Sequence, residues 1–94
     1  MATEVVQDVP MSRFELLVDG TQAGIADYLL RDDTIVFIHT EIDPAYRGQG
    51  LGDEIARGAL NLVRAETDLR VVATCPFISK WIAEHPDYQD LLSR

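Results

Sequence analysis

The chain has 94 residues, 47% of them hydrophobic, which suits one folded domain and argues against a disordered chain. Sixteen acids against eight bases give a formal net charge of −8. That balance argues against a nucleic-acid backbone as partner, and the single cysteine excludes an intrachain disulfide.

The same charge would attract a cationic amine or a lysine-rich peptide. An acidic surface kept for solubility gives the same composition, so charge excludes more than it identifies. Met1 to Pro10 holds no Lys or Arg and no apolar core of a secretory signal. No apolar run reaches the length that crosses a bilayer. One free cysteine fits a reducing compartment. The expectation is a soluble, cytoplasmic protein, one domain over residues 1–94, without membrane or nucleic-acid partners.

In chain order, Phe14 to Val18 reads as a strand and Asp19-Gly20 as a hairpin turn. Thr21 to Leu30 is its partner, Arg31-Asp32-Asp33 a second tight turn, and Thr34 to Ile42 a third strand rich in β-branched and aromatic residues. These three strands form an antiparallel meander. A glycine-rich hexapeptide follows, Arg47-Gly48-Gln49-Gly50-Leu51-Gly52. Leu51, Ile55, Ala59 and Leu62 then trace one face of a helix from about Leu51 to Ala65, with Asp53 and Glu54 in its first turn. Arg70 to Thr74 is a short apolar strand, parallel to its neighbour because a helix intervenes. Pro76 suits the first turn of a last helix. Pro86 ends that helix near His85.

Glycines at a strand-to-helix junction let backbone N–H groups approach an anion with no Cβ in the way. The helix dipole adds roughly half a positive charge there. A nucleoside-triphosphate loop would need Lys and then Ser or Thr after the last glycine, where this chain has Asp53 and Glu54. A dinucleotide fingerprint would need glycine at Asp53 and a longer series of strand–helix units. A connection that only turns a strand into a helix also fits six residues.

The remaining pattern, Arg-x-x-Gly-x-Gly on Arg47, Gly50 and Gly52 with Pro44 upstream, resembles the acetyl-coenzyme A loop of GNAT-type (GCN5-related) N-acetyltransferases. His39-Thr40-Glu41, Cys75-Pro76-Phe77 and His85-Pro86-Asp87-Tyr88 extend the likeness to a small, reduced branch over about two thirds of the chain. The resemblance implies a mixed α+β, GNAT-like fold. In it the meander leads into a splayed parallel strand pair, with two main helices. It implies acetyl-CoA or coenzyme A as cofactor, held by Thr40, Glu41, Ile42, Arg47, Gly48, Gln49, Gly50, Leu51, Gly52 and Asp53. An amine-bearing small molecule or a protein lysine would be the acceptor. The reduced branch lacks elements on the substrate side, which leaves that side open or completed by a second subunit. A monomer or weak homodimer is expected.

Acetyl transfer to an amine needs a base, because freeing a lysine-like amine of its proton at pH 7 costs roughly 4.6 kcal/mol. The developing negative charge on the thioester oxygen needs a backbone donor. The resemblance places that donor in the strand around Thr40 to Ile42. His39 is the first candidate base, since an unperturbed imidazole is mostly neutral at pH 7. It shares strand parity with Ile35 and Phe37, which predicts a covered face; a hydrogen-bonded core histidine is the plain alternative. Cys75 precedes Pro76 at a helix start, where a thiol becomes more reactive, though a small buried apolar residue fits as well.

If the two strands splay as the resemblance implies, His39 and Cys75 face one gap. Cys75 would protonate the leaving thiolate or carry the acetyl group itself, and direct transfer is the commoner route in the family. Glu41, taken as facing away from His39, is a weaker alternative base. Arg47 assists the pyrophosphate or is simply solvated, while Phe77, Trp81 and Tyr88 read as core anchors. No Cys and His pair has metal-ligand spacing, so no metal is expected. A non-catalytic acyl-CoA-binding module stands beside the enzyme reading.

Overall fold

A computed structural model describes residues 2–94. In it Thr3–Asp8 forms a strand (β1) that pairs antiparallel with Arg13–Val18 (β2). The sequence did not announce β1, because Val5 and Val6 stand side by side and blur the period-2 signal. Beyond β2 the predicted hairpin forms. Asp19 and Gly20 take φ values of 49° and 84°, and Val18 pairs with Thr21 across them. Positive φ at both positions matches the twist of the flanking strands.

Thr21–Arg31 (β3) pairs antiparallel with Thr34–Ile42 (β4), and β4 pairs in parallel with Arg70–Ala73 (β5). The sheet order is β1-β2-β3-β4-β5. The helices are α1 (Leu51–Glu66) and α2 (Pro76–Ala83). The result is the predicted mixed sheet with two main helices.

One face of the sheet carries the core. Phe14 lies 5.4 Å from Tyr28 and 5.9 Å from Phe37, ring centre to ring centre. All three are buried, together with Leu51, Ile55, Ala59, Leu60 and Val63 of α1 and Ile78, Trp81 and Ile82 of α2. Burying an aromatic or aliphatic side chain of this size stabilises the fold by about 1.5–3 kcal/mol. The opposite face, with Arg13, Glu15, Ile25, Asp27 and Val36, stays half-buried.

The last helix is shorter than predicted. After Ala83 the chain turns into a 3₁₀ segment, Pro86–Ser93, that buries Tyr88 and Leu91. Arg64 of α1 holds this segment through Asp90 at 2.7 and 3.0 Å and the Asp87 carbonyl at 2.8 Å. The Arg64 guanidinium in turn holds the Asp90 carboxyl below its ordinary value. Arg94 donates to the carbonyls of Val63, Thr67 and Leu69 at the end of α1, where the helix dipole favours a cation. No helix of the described residues is long and apolar enough to cross a membrane.

Candidate functional site

The glycine loop leads from the 3₁₀ turn Pro44–Tyr46 into α1. Asp43 caps that turn by accepting from the Ala45 N–H at 2.9 Å. Gly48 and Gly50 have φ of 81° and 74°, a conformation that disfavours any residue with a Cβ. A Cβ at either would meet nothing within 4 Å, so the backbone there faces open space. Gly50 is the N-cap of α1 and no side chain caps that end. The first-turn N–H groups of a helix have no partner within it. The loop therefore presents uncapped donors at the positive end of a four-turn helix. Arg47 and Gln49 are exposed beside it, while Leu51 is buried as the first core residue of α1.

Asp53 is placed differently from a phosphate ligand. Its Oδ1 accepts from the Trp81 indole N–H at 2.9 Å and lies 3.4 Å from Arg57 and 3.8 Å from His85. The Trp81 hydrogen bond, ahead of Arg57 and His85, holds the Asp53 carboxyl below its ordinary value. Only its backbone N–H remains for an anion. The carboxylate fastens the start of α1 to α2.

The parallel pairing of β4 and β5 runs from Thr34↔Arg70 to Phe37↔Ala73 and then stops. Both Thr74 and Cys75 donate their N–H groups to the Phe37 carbonyl, each at 3.0 Å. β4 continues to Ile42 without β5 beside it. The two strands part at Phe37, and the backbone of Ile38 to Ile42 has no β5 partner.

At that point β4 carries a bulge. Tyr28 pairs with Phe37, but Asp27 pairs with His39, so Ile38 is an extra residue. One inserted residue reverses the alternation of every side chain after it. Thr40 and Ile42 therefore take the side of Phe37, and His39 and Glu41 turn to the open face. This corrects the predicted parity of His39. Its side chain is 57% exposed rather than covered. Glu41 was taken as facing away from His39, yet residues two apart on one strand share a face. The structure brings His39 Nε2 and Glu41 Oε2 to 3.5 Å.

Cys75 is buried, and its neighbour is Thr40, whose Oγ1 lies 3.5 Å from Sγ. The predicted meeting of His39 and Cys75 in one gap does not occur. Thr40 takes the place beside the sulfur, and Asp27 faces His39 from β3. Neither contact is readable without knowing the bulge. Glu41 also lines a recess of about 180 Å³ with Gln22, Gly24, Asp43 and Pro44.

Residues 13–91 match the GCN5-related N-acetyl-transferase family. The chain belongs to that family. Protein NATD1 of Danio rerio is 38% identical over 89 residues, which cover 93% of this chain and 80% of that protein. Protein NATD1 of Bos taurus is 46% identical over 48 residues, 51% of this chain and 42% of the relative. Protein NATD1 of Homo sapiens is 44% identical over 48 residues, again 51% of this chain and 42% of the relative. The matched segments thus span less than half the length of these two mammalian relatives.

Proposed function

We propose that this family member binds acetyl-CoA and transfers the acetyl group to an amine that approaches from the open face of the sheet. The observation that carries the reading is the parting of β4 from β5 at Phe37. Beyond that point β4 carries Thr40 on the side of Cys75 and His39 on the open face, and the uncapped glycine loop follows it. The backbone N–H groups of Gly48 to Asp53 hold the pyrophosphate, assisted by Arg47. Backbone donors of Thr40 to Ile42 face the thioester oxygen. When bound, the coenzyme supplies an activated acyl group on a sulfur leaving group.

His39 takes the proton of the attacking amine. Cys75, beside the Thr40 hydroxyl, returns a proton to the leaving sulfur. Direct transfer suits the separation of His39 from Cys75, since an acetylated Cys75 would lie on the far side of the sheet from the base. The carboxylates of Glu41 and Asp43 favour a cationic acceptor. The cofactor part of this reading is tested by titrating the protein with acetyl-CoA while following backbone amides by NMR. Large shifts at Gly48 to Asp53, with smaller ones near His39 and Cys75, support it. Unmoved amides at millimolar cofactor overturn it.

The exposure of His39 favours a second reading, a non-catalytic acyl-CoA-binding module. It predicts the same amide shifts. No polyamine or lysine peptide would then be acetylated, and His39→Ala and Cys75→Ala would have no turnover to change.

A further inference from the structure

The bulge at Ile38 turns His39 to the open face, and Glu41, two residues on, shares that face and lies against the imidazole. We infer that Glu41 is a positioning residue. It holds the proton of His39 on Nε2 and leaves Nδ1 as the atom that accepts the amine's proton. The inference rests on the base role proposed above for His39.

A carboxylate only accepts hydrogen bonds. The 3.5 Å approach of Glu41 Oε2 to His39 Nε2 is attractive when Nε2 bears the hydrogen and repulsive when it bears the lone pair. A neutral imidazole has one N–H. Fixing it on Nε2 therefore puts the lone pair on Nδ1.

Two other strands bring charges near His39 on this face. Asp27 is the cross-strand partner of His39 on β3, and Arg13 is the partner of Asp27 on β2. Arg13 is taken up by Glu15 at 2.9 Å. Thr40 and Cys75 lie on the opposite side of β4. His39 thus has one carboxylate along its own strand and another across from it, and only the first is in contact with the ring.

In the transfer step the amine nitrogen bonds to the acyl carbon and the carbon–sulfur bond breaks with its pair on sulfur. The amine's proton passes to Nδ1. The resulting imidazolium keeps its Nε2–H on Glu41 and later releases the Nδ1 proton to solvent. Glu41 does not touch the reacting atoms in this scheme.

The test combines a spectroscopic readout with kinetics. Nitrogen-15 NMR of the His39 ring, at a pH where the ring is neutral, should show hydrogen on Nε2 in the wild type and in Glu41→Asp. In Glu41→Gln the two tautomers should mix, and kcat should fall about tenfold with KM for acetyl-CoA unchanged. In a His39→Gln background, Glu41→Gln should cause no further loss. An unchanged tautomer in Glu41→Gln overturns the inference, and so does a full additional loss in the His39→Gln background. If the wild-type protein transfers no acetyl group, the proposed function fails. The tautomer measurement then still decides whether Glu41 orders the ring.

Discussion

Trp81 donates its indole N–H to the Asp53 carboxylate across 2.9 Å, joining α2 to the first turn of α1. Around this bond, His85 stacks on the indole with ring centres 3.7 Å apart, and Arg57 lies 5.3 Å from the indole ring. His85 also holds the Trp81 carbonyl at 2.6 Å through Nδ1. The start of the glycine-loop helix and the segment after β5 are therefore one mechanical unit, built on a residue that the sequence suggested for coenzyme binding.

The hydrogen bond from Trp81 lowers the Asp53 carboxyl below its ordinary value of 3.8, so folding favours the ionised form. A depressed carboxyl adds stability above that ordinary value and loses it as the pH falls toward the folded-state value. Denaturant midpoints measured from pH 6 down to pH 3 should fall more steeply for the wild type than for Asp53→Asn. Trp81→Phe keeps the ring and removes the donor. It should cost about 1 kcal/mol at pH 7, because Asp53 is half-exposed and water replaces part of the bond. Parallel pH profiles for wild type and Asp53→Asn would show that the bond contributes nothing.

Gly50 has a left-handed backbone and nothing where a side chain would go. Gly50→Ala should strain the turn by about 1 kcal/mol without a clash. Gly50→Glu should add a like charge beside the pyrophosphate and abolish coenzyme A binding in calorimetry, with the circular dichroism spectrum unchanged. Retained affinity in the folded variant would remove the phosphate-cradle argument.

Cys75 is buried, with the Thr40 hydroxyl against its sulfur. If it protonates the leaving sulfur, Cys75→Ala should keep acetyl-CoA affinity and lower kcat, by about tenfold because a thiolate leaves readily unaided. Thr40→Val should lower kcat less. Mass spectrometry of wild type mixed with acetyl-CoA alone should find no acetyl group on Cys75. A stoichiometric adduct there would replace direct transfer by the two-step route.

Gly58 of α1 packs against β1 so closely that a Cβ would stand 2.4 Å from a methyl carbon of Val5 and 2.7 Å from its Cβ. Val5 is branched at that point and cannot swing aside freely. Gly58→Ala should therefore destabilise the fold by about 1–3 kcal/mol, despite alanine's better helix propensity. Val5→Ala in the same chain should recover part of the loss, as read from thermal denaturation.

The meander, the glycine-loop helix and the parallel strand were legible because their residues repeat with the period of the element. Ile55 and Ala59 of the predicted stripe are buried, and so are Phe14 and Leu16 of the first predicted strand. Other parts depended on distant partners. The last segment is held by Arg64 and Arg94, which no local pattern connects to Tyr88 or Leu91. β1 becomes a strand because β2 offers it an edge and Gly58 leaves room for Val5. Within the site, the loop positions could be named from the sequence, but the direction of His39 could not. That direction depends on where β4 falls out of step with β3, which is a property of two strands together.

Ile38 works as a phase shifter in β4. Its side chain is 40% exposed, so its contribution lies in its presence rather than its packing. Removing that one position would return β4 to unbroken alternation. His39 would then follow Phe37 directly, still opposite Asp27, so the imidazole would keep the open face and Thr40 the core side. Drawing Ile38 into the ladder instead would slip the later residues by one and exchange the sides of His39 and Thr40. It is therefore the unpaired state of this position that decides which of the two meets Cys75.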